Sequence, residues 1–422
     1  MPTLGFNYRE DELLCEDVSL SAIAEQVGTP SYVYSGSAIV SNYRAYDRSL
    51  KDIPHEVHYA VKANSSLGIL SLLAAEGAGF DIVSGGELYR VIEAGGDPSK
   101  VVFSGVGKTL SEIDYALGSG VGYFNCESEP ELALLAEIAK QHGVRPAAAL
   151  RVNPDIDAET HPYIATGLHE HKFGVGLNEA FAIYRKFASN PHLSLEGVSC
   201  HIGSQIFDSG PFLKALEALL DLSEGLLKAA VRIRYLDLGG GLAVSYRDSE
   251  ITPSVEEHAR ALASVLQGKD LKLMLEPGRS IVGQAGVLLS RVLYRKRTGK
   301  KEFVIVDTAM NDLIRPSLYQ SHHEIIPLRK RSGSPIVADV VGPVCETGDF
   351  LARDREMNDA EPGDLLAICT SGAYGFVQAS NYNSRPRPPE VLVQGSDFQV
   401  IRRRETYEDL IRGETSGNRH EA

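Results

Sequence analysis

Three short stretches of the sequence carry side chains that could act together on one cofactor. Lys62 ends an apolar run in HYAVKAN, three glycines occupy 239–241, and Glu276 precedes Arg279 in LEPGRS. A partly desolvated lysine has a lowered pKa and can form a Schiff base, whereas most lysines are simply solvated. Glycine amides can approach a phosphate closely, although glycine runs are usually turns. A carboxylate can bond a pyridine nitrogen instead of forming a surface salt bridge. Together these groups are typical of a pyridoxal phosphate site.

The elements that must position these side chains alternate between strands and helices. Ala/Leu/Glu-rich segments with helical spacing, such as EPELALLAEIAKQHG, separate short apolar or β-branched runs. These runs are HEVHYAV, FDIVS, VVFSG, GYFNC, AAALRV, EGVSCHI, YLDLGGG and KLMLEP. The pattern predicts an α/β fold, a (β/α)8 barrel of the TIM type. We prefer it to a doubly wound open sheet because chemically equipped residues follow nearly every run, where barrel enzymes build their sites.

The pattern changes near residue 284. Runs such as EFVIVDTAM, PIVADVVGPV and DLLAICTSG, punctuated by Gly, Pro and Asp, predict a C-terminal antiparallel β-sandwich or β-barrel domain. The predicted organisation is an N-terminal segment at 1–32 that contributes to the β domain, a cofactor-binding barrel at 33–283, the β domain at 284–412 and a disordered tail at 413–422. The basic run RKRTGKK at 295–301 is interpreted as a hairpin turn between two strands.

Composition and charge argue against several classes of protein. Lys and Arg number 42 against 56 Asp and Glu, a net charge of −14 that disfavours a nucleic-acid partner. No apolar stretch approaches the ~20 residues that span a bilayer, and the acidic start lacks the pattern of a signal peptide. The five cysteines are widely spaced without a CxxC pair, so they indicate neither a disulfide framework nor a zinc ribbon. We therefore expect a cytoplasmic protein with no membrane partner.

Further motifs extend the pattern along nearly the whole chain. The sequence resembles the alanine-racemase-like (fold type III) pyridoxal-phosphate decarboxylases, and most closely those that act on diaminopimelate. The matching stretches, in family order, are HYAVKAN, GFDIVSGGEL, LRVNP, THPYIATG with HKFG, CHIGSQI, DLGGGL, EPGRS, RPSLY, VGPVCETGD and GAYG. Any one of these motifs alone would be weak, but jointly they are highly specific. Only the N-terminal 30 residues and the tail lie outside them.

The resemblance implies a role for each matching residue. Lys62 would form the Schiff base, His201 would stack against the cofactor ring, and Glu276 would bond its pyridine nitrogen. The remaining cofactor contacts would be Asp81, Arg151, Ser204, Gly239, Gly240, Gly241, Pro277, Gly278, Arg279 and Tyr374. The substrate would be bound by Arg279, Arg315, Tyr319, Glu346 and Tyr374. Cys345 would donate a proton from the neighbouring subunit, so the resemblance implies a homodimer with shared active sites.

Within this resemblance, two features bear on the reaction and the substrate. A carboxylate at Glu276 favours a protonated ring and hence decarboxylation, whereas racemases of this fold place an arginine there. Arg279 and Arg315 fit a second substrate carboxylate because the guanidinium fork matches carboxylate geometry, and Glu346 could hold a distal ammonium. The hypothesis is therefore loss of CO2 from the D-configured centre of meso-2,6-diaminopimelate, which gives L-lysine.

Other interpretations stay open at this point. Related decarboxylases act on ornithine, arginine or carboxynorspermidine, and a relative could bind the cofactor without turnover. A metal hydrolase is disfavoured, because the His169–His171 pair follows the fifth predicted strand and such pairs usually follow the first, so we expect no metal. We also expect the segment LHEHKFG, near Lys172, to move toward bound ligand.

Overall fold

The structure, a computed structural model, describes residues 3–156, 172–299, 301–330 and 333–415. The chain divides into two compact units. One is Ala38–Gln284, and the other joins the first 37 residues to the chain from Ala285 onward. Within the described ranges, no helix combines the length and apolar character that a membrane crossing needs. The THPYIATG motif, the His169–His171 pair and most of the LHEHKFG segment lie outside the described residues, as does the predicted tail from residue 416.

The strands and helices are numbered in chain order. The strands are β1 Phe6–Arg9, β2 Glu12–Cys15, β3 Val18–Ser19, β4 Ser31–Ser35, β5 His55–Ala60, β6 Gly79–Ile82, β7 Val101–Phe103, β8 Tyr123–Cys126, β9 Ala147–Asn153, β10 Val175–Gly176, β11 Ser194–Ser199, β12 Tyr235–Asp237, β13 Lys272–Leu275, β14 Gly286–Thr298, β15 Lys301–Val306, β16 Ile325–Pro327, β17 Ile336–Val341, β18 Phe350–Met357, β19 Leu365–Ile368, β20 Glu390–Gln394 and β21 Asp397–Arg402. The α-helices are α1 Leu20–Val27, α2 Gly36–Leu50, α3 Leu67–Ala75, α4 Gly85–Glu93, α5 Leu110–Gly118, α6 Glu129–His142, α7 Leu177–Phe187, α8 Gly210–Lys228, α9 Val255–Leu266, α10 Arg279–Val282, α11 Arg315–Tyr319 and α12 Tyr407–Leu410.

The unit Ala38–Gln284 is a closed barrel of parallel strands. Hydrogen-bonded neighbours follow the order β9-β11-β12-β13-β5-β6-β7-β8, and β8 pairs with β9 to close the barrel. Each of the eight runs singled out in the sequence contributes one of these strands. The prediction of a TIM-type barrel is therefore confirmed, and the open doubly wound sheet is excluded because an open sheet has two edges.

Local sequence explains why helices begin just beyond the carboxyl ends of the strands. The Ser84 hydroxyl accepts the amide of Glu87 at the start of α4, and Thr109 with Glu112 forms a reciprocal capping box on α5. Inside the barrel unit, aromatic strand residues such as Phe80 and Phe124 are fully buried. Each such burial stabilises the fold by roughly 1.5–3 kcal/mol. The packed strands thus form a rigid support for the polar residues that follow them.

The second unit is built on a mostly antiparallel sheet with the order β18-β17-β15-β14-β4-β20-β21. The predicted β domain is confirmed, with the correction that β15–β17 and β4–β20 are parallel pairs. The N-terminal strand β4 lies between β14 and β20, while β1–β3 form a small sheet of their own. β14 and β15 pair antiparallel from Thr298 opposite Lys301, so the hairpin interpretation of RKRTGKK is also confirmed.

Candidate active site

A lysine and a buried aspartate form an ion pair at the mouth of the barrel. Lys62 lies on a 3₁₀ turn directly after β5, and Asp81 lies on the adjacent strand β6. The Lys62 Nζ atom donates to Asp81 Oδ2. The Asp81 side chain is fully buried, whereas that of Lys62 is 36% exposed. The amine is therefore held at the edge of the barrel interior, where it can meet a ligand.

A second buried carboxyl group, that of Glu276, lies beside another buried acid, Asp237. Glu276 follows β13, and its Oε1 atom accepts from Asn125 Nδ2 at 3.3 Å. The same amide donates to Asp237 Oδ2 at 2.7 Å. Burial raises the pKa of Glu276 well above its usual range, and the charges of Asp237 and Asp81 raise it further. Burial also raises the pKa of Asp237. Both shifts favour a protonated carboxyl group in this pair, because two adjacent buried carboxylates cannot both ionise readily.

The glycines at 239–241 form a tight loop directly after β12. Gly239 and Gly241 have φ values of +68° and +126°, which side chains disfavour. A Cβ atom on Gly240 would collide with the carbonyl oxygen of Glu276, and one on Gly239 would lie 2.7 Å from His201 Nδ1. The Gly240 amide donates to that same nitrogen at 3.3 Å. Only glycine can bring the backbone this close to the site.

His201 is a neutral imidazole held between charged neighbours. Burial lowers its pKa well below the usual value, and the positive charges of Arg151 and Lys62 lower it further. Because Nδ1 accepts the Gly240 amide, Nε2 carries the proton. Arg151 donates to the His201 carbonyl at 3.4 Å and to Glu127 at 2.9 Å, which fixes this segment. The result is a flat, uncharged ring next to the amine of Lys62.

The EPGR segment reaches the loop that follows β11. Arg279 donates to Ser204 Oγ at 3.0 Å and to Tyr246 at 2.6 Å. The Pro277 carbonyl accepts the Ala60 amide at 3.1 Å, and a Cβ on Gly278 would lie only 2.9 Å from that of Ala63. The segment is therefore packed closely against the turn that carries Lys62.

Six polar residues of this site line a cavity of about 210 Å³: Lys62, Ser104, Asn125, Arg151, His201 and Glu276. The residues in and next to the cavity fit pyridoxal phosphate: an amine for the aldehyde, a buried carboxyl group for the ring nitrogen, and the glycine loop beside His201 for the phosphate. Asp81 Oδ1, on the carboxylate that pairs with Lys62, is buried without a hydrogen-bond partner among the described residues. The described residues contain no cluster of metal-ligating side chains.

Apart from Arg279, which lies in the barrel unit, the predicted substrate residues lie in the other unit. Arg315 and Tyr319 are on α11, and Ser317 Oγ of the same helix donates to the carbonyl of Gly348 at 2.5 Å. That contact joins the helix to the exposed loop that carries Cys345 and Glu346. The guanidinium of Arg315 is buried and donates to His323 Nε2 at 3.4 Å and to Ser321 Oγ at 3.3 Å. Tyr374, in the loop after β19, has a φ of +56°.

Several residues of the site were not identified from the sequence. Asn125 is the second-to-last residue of β8, and Asp237 is the last residue of β12. A polar side chain at the end of a buried strand is the signal that could have found them. Glu87 lies within GFDIVSGGEL, where its spacing from Ser84 indicates a helix cap. In the structure, burial outweighs the hydrogen bond from the Val83 amide and raises the pKa of Glu87 to about 7.

Comparisons with known proteins agree with this geometry. Residues 37–283 match the family described as pyridoxal-dependent decarboxylase, pyridoxal binding domain. A diaminopimelate decarboxylase of Pseudomonas aeruginosa is 56% identical over 97% of this chain and 98% of its own length. That of Vibrio cholerae is 52% identical over 96% and 97%. The crystal structure of Helicobacter pylori diaminopimelate decarboxylase complexed with L-lysine has a TM-score of 0.89 at 42% identity, covering 93% of this chain and 98% of the other.

Proposed function

The chain belongs to the diaminopimelate decarboxylase family of pyridoxal-dependent decarboxylases, and on this premise we propose that it removes CO2 from the D-configured carbon of meso-2,6-diaminopimelate and releases L-lysine. The observation that carries the proposal is that Lys62 and the buried Glu276 line one cavity. The amine of Lys62 can hold the cofactor, and the carboxyl group of Glu276 can favour the protonated form of its ring nitrogen. This combination favours loss of CO2 from an amino acid.

Pyridoxal phosphate supplies, when bound, an electron sink for the electron pair that departing CO2 leaves on the α-carbon. Lys62 would hold the aldehyde carbon, and Asp81 would keep the Nζ atom aimed into the cavity. The phosphate would be held by Gly239–Gly241, Ser204 and the EPGR segment at 276–279. Because the loop glycines admit no side chain, the anion can lie directly against the backbone.

Glu276 would share its proton with the pyridine nitrogen. Burial and the neighbouring Asp237 and Asp81 raise the pKa of Glu276, which favours its protonated form. Beside a protonated ring nitrogen, its carboxylate would stabilise the positive charge at short range. His201, kept neutral and fixed by Arg151, would stack on the ring without opposing that charge.

The substrate would be bound through Arg279 of the barrel unit and through residues of the β unit. We propose that Arg279 and Arg315 bind the carboxylates, that Glu346 binds the distal ammonium, and that Tyr319 and Tyr374 complete the site. Cys345 would donate the proton that replaces CO2, across the interface of a homodimer. The thiol of Cys345 lies on the surface of the chain, which supports donation to a second copy. We place the reaction in the cytoplasm, consistent with five cysteines that form no disulfide.

A product assay tests the proposal. The purified protein is loaded with pyridoxal phosphate and incubated separately with meso-diaminopimelate, L-ornithine, L-arginine and carboxynorspermidine, and the products are identified by mass spectrometry. Lysine from diaminopimelate alone is the expected result, and Lys62→Ala should abolish it. Product from ornithine or arginine instead would refute the roles given to Arg315 and Glu346. No product from any substrate, with the cofactor still bound, would refute the activity.

A further inference from the structure

Tyr382 and Asn383, which have no part in the proposed function, form hydrogen bonds with Glu346 and Cys345. The Tyr382 hydroxyl donates to Glu346 Oε2 at 2.7 Å. Asn383 Oδ1 accepts the backbone amide of Cys345 at 3.0 Å. One surface segment thus fixes both the carboxylate of Glu346 and the backbone that carries the thiol of Cys345. All four residues lie in the same unit of the chain.

The segment that provides these contacts is itself firmly held. Asn381 donates its side-chain amide to the carbonyl of Arg385 at 3.0 Å and to Glu405 Oε2 at 2.7 Å. Asn383 and Ser384 both adopt left-handed backbone, with φ of +55° and +54°. That conformation is unfavourable for residues with a side chain, although asparagine tolerates it best. The turn therefore presents the Asn383 side chain in one direction at a local cost in free energy.

The loop that receives the contacts is fixed from its other side. The Asp349 carboxylate accepts the backbone amides of Met310 and Val344, each at 2.7 Å. Cys345, Glu346 and Tyr382 are nevertheless exposed. Exposed hydrogen bonds contribute little to stability, because water replaces them easily. Global stability is thus a poor explanation for an exposed glutamate that is held in one orientation.

We propose that Tyr382 and Asn383 are positioning residues: Tyr382 orients the Glu346 carboxylate toward the distal ammonium of the substrate, and Asn383 places the thiol of Cys345 for proton delivery. The inference rests on the proposed function for the roles of Glu346 and Cys345. With Oε2 occupied by the phenol, Oε1 is left to accept from an ammonium group. The adjacent carboxylate also raises the pKa of Tyr382, which keeps the phenol protonated as a donor.

The Tyr382 half is tested with Tyr382→Phe in the full-length holoenzyme, with the exposed Tyr407→Phe as a matched control. The loss of one hydrogen bond should raise KM for meso-diaminopimelate about 3- to 10-fold and leave kcat within about twofold. The apparent dissociation constant of D-2-aminopimelate, which lacks the distal amine and is used as a competing ligand, should not change. In a Glu346→Gln background, Tyr382→Phe should have no further effect.

The outcomes separate this inference from the proposed function. If Tyr382→Phe weakens the binding of meso-diaminopimelate and of D-2-aminopimelate equally, Tyr382 acts only on structure. An additive effect of Tyr382→Phe in the Glu346→Gln background would mean the same. Unchanged KM in an enzyme that makes lysine would also refute the role of Tyr382 and leave the function standing. A wild-type enzyme that makes no lysine would overturn the function itself.

The Asn383 half is tested with Asn383→Gly, which removes the acceptor but tolerates the left-handed backbone. Ser384→Gly is the control, because it makes the same backbone change one residue later. We expect Asn383→Gly to lower kcat about 3- to 10-fold with little change in KM, and Ser384→Gly to match the wild type. Equal loss in both variants would show that backbone freedom, and not the Asn383 acceptor, matters.

Discussion

The ionisation of Glu87 makes the stability of the cofactor-free protein depend on pH in a testable way. Glu87 is the third residue of α4, and its Oε2 atom accepts the Val83 amide at 2.7 Å. Burial, with a contribution from the charge of Asp81, raises its pKa from 4.5 to about 7 against the opposing effects of Val83 and Lys62. At about 1.4 kcal/mol for each pKa unit, the difference corresponds to about 3 kcal/mol.

The sign follows from proton linkage. Because the folded state binds this proton more tightly, the contribution of Glu87 to the free energy of unfolding is full below pH 4.5 and is lost as the pH rises through 7. Glu87→Gln keeps an acceptor for the Val83 amide but cannot ionise. In urea unfolding without cofactor, the variant should nearly match the wild type at pH 5 and be more stable by about 3 kcal/mol at pH 8.

Glu112 provides a control with the opposite sign. It accepts the amides of Gly85 and Thr109, and these hydrogen bonds lower its pKa. Its stabilising contribution is therefore present above pH 4.5 and lost in acid, so Glu112→Gln should be destabilised at pH 8 and less so at pH 4. If the difference between Glu87→Gln and the wild type stays constant from pH 5 to 8, Glu87 does not titrate near neutrality and the account of its burial is wrong.

Four further predictions concern the site and the base of the barrel. Glu276→Gln should retain pyridoxal phosphate but lower kcat by about 100-fold or more, since a neutral amide cannot keep the ring nitrogen protonated; near wild-type turnover would contradict this role. Gly241→Ala should weaken cofactor binding at least about tenfold in a fluorescence titration, because a Cβ there would collide with the carbonyl of Gly203 and the φ of +126° disfavours a side chain. Arg315→Ala should raise KM about 100-fold and Arg315→Lys much less, whereas an unchanged kcat/KM would exclude a carboxylate clamp. The hydrogen bond from Lys272 and the ring of His58, 3.3 Å from the carboxylate, together outweigh burial and lower the pKa of Glu56 to about 2. Glu56→Gln should therefore cost roughly 1–2 kcal/mol of unfolding free energy at pH 7, after allowance for solvent exposure, and the difference should shrink below pH 4.5.

The sequence alone determined the type and order of the barrel elements. Strands such as HEVHYAV and helices such as EPELALLAEIAKQHG are recognisable because hydrophobic period and capping residues act over a few positions. The sequence pattern also places Lys62, Gly239–Gly241 and Glu276 at one end of the barrel, since parallel strands bring their carboxyl ends together. The position of β4 between β14 and β20 could not be predicted from the sequence, because strand pairing between distant segments leaves no local signal.

Only the tertiary structure decided how these side chains behave. Asn125 and Asp237 are 112 positions apart, yet the Asn125 amide donates to Asp237 and also to Glu276. These contacts hold the two buried acids side by side. The raised pKa of Glu276 and the neutral state of His201 come from burial and from charges on neighbouring strands. The sequence identifies the residue types, but desolvation and charge proximity arise only when segments far apart in the chain are packed together.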